Sequence, residues 1–388
     1  MSAQTADAVV IGAGIIGASV AYHLKAAAPG WRVVLLEANE APGAGETRWA
    51  TGGVRHQFGT EANVRLSLLS APYFETFEER FGVDPNFRQH GYLFVTADPA
   101  RVAALDRERA LQRALGVPTE RLDARELARL CPPLRTDDLI AANFCARDGS
   151  VDPHWVLQGF LATFRRLGGE LVVRAPVREL TPAVHSAGTA WTVAAAGERY
   201  ETPVVVVAAG PQSHDVAGLA GIDVPAHPFR RQVFVAERPA AVPATIPLTV
   251  DCDTGWYAHA SRAELLLGGT DKDNRPGTEP EVDWSLFDVV YAAATARMPV
   301  LADARVVRAY AGIRTLTPDH HAILGPVAER PGCYLACGPS GHGIMHSPAI
   351  GLLLTEWITE GQPRSWDARG LLLDRFRSAH ELHETAIF

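Results

Sequence analysis

The chain has 388 residues, of which 47% are apolar and 21% charged, and carries a net charge of −8. Such a length suits two domains better than one compact core, and the acidic balance, with no Lys/Arg run longer than two, excludes a nucleic-acid surface built on a basic patch. No uninterrupted apolar stretch reaches about eighteen residues, which excludes a spanning helix. Met1 to Asp7 is polar and runs straight into an apolar stretch, without the basic start and apolar helix of a secretory signal. The five cysteines (Cys131, Cys145, Cys252, Cys333, Cys337) are scattered and odd in number, so they read as free thiols in a reducing, cytoplasmic setting. Cys333 and Cys337 share one face of a strand, but two thiols alone make a poor metal site, and no metal is expected.

Ala8–Ile11 is a short apolar run that fits a strand buried on both faces. Gly12-Ala13-Gly14-Ile15-Ile16-Gly17 follows, then a helix-compatible stretch from Ala18 to Ala28, stopped by Pro29-Gly30. Val33–Leu36 forms the next strand and ends at Glu37, which completes a βαβ unit. Gly12 allows the tight turn, Gly14 lets the backbone approach a pyrophosphate, and Gly17 permits close helix–strand packing. The helix N-terminus then offers free N–H groups and a positive dipole end to the phosphates. Glu37, about twenty residues beyond Gly17, stands where a carboxylate accepts hydrogen bonds from an adenosine ribose. By itself this motif leaves NAD and FAD both open.

From Gly43 to Gly59 the chain is small, polar and glycine-rich, where a nicotinamide-binding domain would continue to a third strand. Such a segment can lie along an extended cofactor and cross to an isoalloxazine ring, which favours FAD. Arg101–Leu130 is charged and helical in pattern. A further apolar strand, Val204–Ala208, ends at Ala209-Gly210-Pro211, and Phe229–Leu267 reads as several strands, among them Gln232–Ala236 and Glu264–Leu267. Near the end Tyr334–Ala336 precedes Gly338-Pro339-Ser340-Gly341-His342-Gly343, which starts a helix running from about Ser347 to Thr359. That helix points its positive end at the charge a reduced flavin carries. The expected fold is α/β, a Rossmann-like FAD-binding domain of glutathione-reductase type interleaved with an α+β substrate domain on an antiparallel sheet. The expected segments are 1–82, 146–222 and 322–388 for the first domain, and 83–145 and 223–321 for the second.

These segments together resemble the superfamily of D-amino-acid oxidase, glycine oxidase and sarcosine oxidase. The resemblance runs from VVIGAGIIGASVAYHL through VVVVAAGPQSHDVAGLAG to AGIRTLTPDHHAILGP and GPSGHGIMHSPAIGLLLTEWI. Within it, GGVRHQFGTEANVRLS is most similar to the amine dehydrogenases and sarcosine oxidases. The resemblance implies that Gly12, Gly14, Ile15, Ile16, Gly17, Glu37 and Ala38 hold the ADP half and that Val177 sits beside the adenine. It places Gly52, Gly53 and Gly210 along the cofactor and Gly341, His342, Gly343, Ile344 and Met345 beside the flavin ring. Gly312 stands where monomeric sarcosine oxidase attaches flavin through cysteine, and Arg48-Trp49-Ala50 lacks the histidine that dimethylglycine dehydrogenase uses, so non-covalent FAD is expected. The lysine that promotes reaction with oxygen aligns with Leu266, and the lysine that binds the substrate carboxylate aligns with Met345.

By the same resemblance Arg314 pairs bidentately with a substrate carboxylate, apt because a guanidinium matches its geometry and keeps its charge when desolvated. Tyr257 hydrogen-bonds the same carboxylate, Arg55 is a second candidate clamp, and one of Arg230 and Arg231 faces the pocket. His56, His259, His320, His321, His342 and His346 lack a recognised ligand spacing, and His342 is the candidate for touching flavin. The expected activity is oxidation of the C–N bond of a small amine or amino acid, with oxygen or a quinone-linked carrier as electron acceptor. The alternatives are a 2-hydroxyacid dehydrogenase and a non-catalytic FAD-bound assembly factor or subunit of a larger dehydrogenase. An oligomer is compatible with all three.

Overall fold

Four consecutive apolar residues in Ala8–Ile11, and four more in Val33–Leu36, leave no polar side for water, and every one of them is buried. In the computed structural model, which describes residues 3–185, 188–261, 263–269, 276–377 and 381–386, they form the centre of a six-stranded sheet. Its order is Ile323–Pro326, Cys333–Cys337, Val205–Val207, Ala8–Ile11, Val33–Leu36 and Glu170–Val172. All neighbours are parallel except the edge strand Ile323–Pro326, which is antiparallel to Cys333–Cys337. Ala8 and Val10 face a core shared with helices Ile15–Ala27, Pro153–Arg166 and Gly343–Glu360. Val9 and Ile11 face the other way, onto Leu180, Trp191 and Val193. Those last residues belong to a four-stranded sheet of Gln4–Thr5, Glu198–Thr202, Gly188–Ala195 and Val177–His185, which sequence reading missed.

Helices Ile15–Ala27 and Gly343–Glu360 cross at Gly351, where an added Cβ would lie 2.4 Å from Ser19 Oγ and 2.5 Å from His23 Nδ1. The close approach lets Ser19 Oγ donate to Ser347 O at 2.7 Å. Both helices begin earlier than their sequence patterns suggested, because glycine and small residues at the strand ends turn directly into the first helical turn. The charged stretch 101–130 is two helices, Pro99–Ala114 and Ala124–Leu130. Gly116, at φ +91°, breaks it.

The second large sheet has eight strands in the order Val306–Leu316, His227–Glu237, Glu264–Gly268, Tyr257–Ala260, Leu248–Asp251, Tyr92–Thr96, Ala141–Cys145 and Glu120–Arg121. It departs from the expected antiparallel sheet at one junction, since Leu248–Asp251 runs parallel to Tyr92–Thr96. These two strands come from distant parts of the chain and are not joined by a hairpin, so nothing forces them to reverse. One face, with Leu93, Val95, Phe234 and Leu267, packs under helix Ser285–Arg297. The other face turns toward the C-terminal ends of the parallel strands, and the cavity lies between.

Candidate active site

Where Ala8–Ile11 ends, Gly12 adopts φ +104° and passes so near the neighbouring strand that a Cβ would stand 2.4 Å from Ala208 O. A Cβ on Gly17 would come within 1.8 Å of Gly12 O. Gly17 therefore sets the helix down on the turn and is not itself a cavity wall, whereas Gly12, Gly14, Ile15 and Ile16 are. The first helical bond runs from Ala18 N–H to Gly14 O, so the earlier amides face outward, and Ile15 N–H donates to Thr47 Oγ1 at 3.0 Å. Thr47 is a wall residue that sequence reading did not single out, although its place in the small polar segment was the available signal.

The buried Glu37 carboxylate accepts from Ala13 N–H (3.0 Å), Asn39 N–H (2.8 Å) and Asn39 Nδ2 (2.7 Å). A carboxylate has about four acceptor positions, which leaves capacity toward the cavity that Glu37, Ala38 and Val177 line. The cavity has a volume of about 800 Å³ and extends past Gly52, Gly53 and Gly210 to Gly341, His342, Gly343, Ile344 and Met345. Its carboxylate, outward amides and glycine walls that a side chain would block fit a dinucleotide lying extended. Leu266, set against the oxygen-promoting lysine by the resemblance, is not part of the lining.

The far wall comes from the eight-stranded sheet and follows from its register. Phe94, Val250, Tyr257, Gly268, Val233 and Tyr310 stand opposite one another in a single row across six strands. Because side chains alternate along a strand, Tyr92, Leu248, Arg231, Gly312 and Arg314 share that face, and all five line the cavity. Alternation also answers which of the paired arginines turns inward. Arg231 lines the cavity, while Arg230 reaches Asp283 Oδ2 at 3.3 Å. Gly268 leaves space for the Tyr257 ring, since a Cβ there would lie 2.1 Å from it.

Arg314 passes over Gly341, whose missing side chain makes room: a Cβ would fall 2.4 Å from Arg314 Cδ. Burial pulls the Arg314 guanidinium down to about 9, and nearby Arg231 pulls in the same direction. Burial holds the Tyr257 phenol well above its ordinary value, while Arg314 and Arg231 oppose the shift. Arg55 also lines the cavity, but its terminal nitrogens donate to Gln57 O (3.0 Å) and Ala386 O (2.8 Å), and it lies over the Phe58 ring. Glu46, which sequence reading missed, accepts from Thr315 N–H at 2.5 Å and Thr315 Oγ1 at 3.0 Å, and burial raises its carboxyl to about 7. It ties the outer edge of the Arg314 strand to the loop that carries Thr47.

Buried His342 reaches the cavity with its ring edge-on to Phe58, and burial with neighbouring cations keeps it neutral at physiological pH. Three other histidines serve the scaffold around it. His346 Nε2 pairs with Ser67 Oγ (3.0 Å), His321 Nε2 with Thr60 Oγ1 (2.7 Å), and His56 Nδ1 with Asp148 (2.7 Å). His56, Cys145 and Asp148 bring ligand-type atoms within 4.8 Å of one another. There the Asp148 carboxylate is already engaged by His56 N–H and Gln57 Nε2.

A family model described as FAD dependent oxidoreductase matches residues 7–357. Among curated proteins the chain is 26% identical to FAD-dependent oxidoreductase domain-containing protein 1 of Bos taurus, over 99% of this chain and 87% of that one. It is 27% identical to the mitochondrial sarcosine dehydrogenase of Mus musculus over 94% of this chain, spanning 41% of that protein's length. Among solved structures, L-proline dehydrogenase from P. horikoshii superposes with a TM-score of 0.90 at 27% identity, covering 98% of this chain and 100% of that one.

Proposed function

Since the chain belongs to the FAD dependent oxidoreductase family, with FAD as its cofactor, we propose that it oxidises the C–N bond of a small amino acid or related amine. The observation that carries this reading is the buried Arg314 guanidinium, set on the cavity face of the sheet and threaded over Gly341. A guanidinium held there takes a carboxylate by two parallel bonds, and the neighbouring Tyr257 phenol adds a third. The relatives named as sarcosine and proline dehydrogenases oxidise amines next to a carboxylate, which agrees.

FAD, when bound, supplies the acceptor for a hydride. The substrate carbon gives up that hydride, the nitrogen releases one proton, and the resulting C=N bond takes up water to yield a carbonyl compound and an amine. The reaction begins from a neutral amine, and the positive field of Arg314 and Arg231 favours that form by disfavouring the ammonium. Phe94, Val250 and Val233 make the wall apolar and limit water around the reacting carbon. These residues position and desolvate, and none need take a proton.

We place Gly12, Gly14, Ile15, Ile16, Glu37, Ala38, Val177 and Gly210 along the ADP half. Gly52, Gly53, Gly341, His342, Gly343, Ile344 and Met345 lie along the flavin. Attachment is non-covalent in this reading: a Cβ at Gly312 would lie 2.6 Å from Trp49 Cβ, which leaves no room for a linking cysteine. The domain division 1–82, 146–222 and 322–388 against 83–145 and 223–321 is ours, as is a cytoplasmic location. Among the described residues no helix is long and apolar enough to cross a membrane.

Anaerobic mixing with N-methyl amino acids, D-amino acids, proline and 2-hydroxyacids, followed by flavin absorbance near about 450 nm, tests the reading. An amino acid should bleach the flavin, and reoxidation by oxygen or by a quinone then identifies the acceptor. Oxidation of a 2-hydroxyacid would support the second reading, which neutral His342 at the cavity favours as a base. His342→Gln should abolish that reaction, and bleaching by hydroxyacids alone would overturn the amine assignment.

A further inference from the structure

Glu46 lines the cavity with one carboxyl oxygen committed and the other open. It begins the short turn Glu46–Trp49, and its Oε1 accepts from Thr315 N–H (2.5 Å) and Thr315 Oγ1 (3.0 Å). Among the described residues Oε2 takes no hydrogen bond, and it stands 3.2 Å from where a Cβ on Gly210 would lie. Glu46 is half-buried and is part of the cavity wall, as is Gly210, so water in the cavity reaches Oε2. The next residue, Thr47, accepts from Ile15 N–H, so the same turn borders the N-terminus of helix Ile15–Ala27 and its outward amides. The FAD placed in this cavity above carries an anionic pyrophosphate, and filling the cavity takes water away from Oε2. A carboxylate there would lose its solvation without gaining a donor, and it would repel the incoming anion. A carboxylic acid meets neither difficulty, because its O–H donates to an oxygen of the ligand.

Resting on the placement of FAD given above, we propose that Glu46 is a cofactor-binding residue that acts in its protonated form, taking up a proton from solvent as FAD enters. The groups around it agree. Burial raises Glu46 to about 7, against the bonds from Thr315 and the charge of Arg314 on the same strand. From strand Cys333–Cys337, the Cys337 thiol is pushed up to about 12 by burial and stays uncharged. Asp215, on the short helix Ser213–Gly218 after Gly210, is a further acid of the wall. Helix Pro153–Arg166 packs on the same turn with His154, Arg165 and Arg166 exposed, and within the turn the Arg48 guanidinium lies over the Trp49 ring. FAD then binds the acid more tightly than the carboxylate. Its affinity is highest at low pH and falls as pH rises through about 7, by up to about tenfold per pH unit.

The test dilutes holoenzyme into buffers from about pH 6 to about 9 at constant ionic strength and reads released FAD by the recovery of its fluorescence. In the parent the dissociation constant should be lowest near about pH 6 and rise by about tenfold between about pH 7 and about 9. Glu46→Gln keeps a neutral donor in the same place, so its affinity should change little over the range and exceed the parent's at the alkaline end. A second measurement needs no variant: FAD is added to deflavinated parent in weakly buffered solution near about pH 7.5, and uptake should lie between about half a proton and about one per FAD bound. A parent whose affinity does not fall with pH, a Glu46→Gln variant that keeps the parent's slope, or binding without proton uptake would overturn the role of Glu46 and leave FAD in its cavity. Failure to bind FAD at any pH would overturn the cofactor placement, and this proposal with it.

Discussion

At the scale of single residues, Arg314 carries the substrate assignment and Glu46 carries a pH signature. Arg314→Ala leaves a desolvated carboxylate without its partner, a loss of about 3–5 kcal/mol for a buried pair. At about 1.4 kcal/mol per decade, kcat/KM should fall by roughly two to three and a half orders of magnitude. Arg314→Lys should regain part of it, because an ammonium keeps the charge without the fork. Flavin content, read from absorbance at constant protein, should stay level, and loss of flavin alongside activity would reassign Arg314 to the scaffold. Glu46 behaves differently. Burial raises its carboxyl to about 7, so between the ordinary carboxylate value and about 7 the folded protein holds a proton that the unfolded chain has released. The group thus favours folding at low pH, and the advantage is lost as pH rises through about 7, at most about 3 kcal/mol. Melting temperature followed from about pH 5 to 8 should drop more steeply in the parent than in Glu46→Gln; parallel curves would show that Glu46 does not titrate in that window. The glycines and Glu37 were legible as cavity positions because each stands at a turn or strand end that recurs at fixed spacing. Glu46 and Thr47 were not, since only the fold reveals that an edge N–H of one strand and an amide of a distant helix need acceptors there.

At the scale of elements, helix and strand identities were readable wherever one period dominated, as in Val33–Leu36 or Gln232–Ala236. The four-stranded sheet escaped because its strands are half polar and face a core on one side, so Gly188–Ala195 reads as an undistinguished run. Which arginine of the 230–231 pair turns inward also lies beyond local reading, because alternation gives two opposite faces and the register alone says which is the cavity. Helix crossing is the most demanding local contact. Gly351→Val would drive two methyl groups into Ser19 and His23, whose atoms already stand 2.4 and 2.5 Å from a single Cβ. Overpacking of this kind costs about 1–3 kcal/mol. The melting temperature should fall by several degrees, at roughly 2–4 °C per kcal/mol for a domain of about 150–250 residues. An unchanged melting curve would mean that the helices move apart freely.

At the scale of the whole molecule, the interleaving of the segments that form the two large sheets was legible from the recurrence of parallel-type strands, but the seam between them was not. That seam runs through Asp319, which lies fully buried just beyond the Arg314 strand. It accepts from Arg375 Nε at 2.7 Å, Arg375 Nη2 at 3.1 Å and Leu382 N–H at 3.3 Å. Next along, Glu384 accepts from Gly59 N–H, Thr60 Oγ1 and Asn63 Nδ2, and Ala386 O accepts from Arg55. Removing one partner of such a buried pair leaves an uncompensated charge, at about 3–5 kcal/mol. Arg375→Met should therefore lower the denaturant midpoint substantially and loosen Arg55 at the cavity wall, which proteolysis of the tail would report. A midpoint within error of the parent would show that the pair contributes nothing net.

The strand order has a consequence in time. The six-stranded sheet takes its members from residues 8–11, 33–36, 170–172, 205–207, 323–326 and 333–337, so a chain emerging from the ribosome holds the Gly12 turn long before it owns the strand that precedes helix Gly343–Glu360. Until residue 337 is out, Val205–Val207 exposes an unpaired edge, and such edges invite aggregation. A cofactor that touches both the first turn and that last helix is accordingly captured late in synthesis.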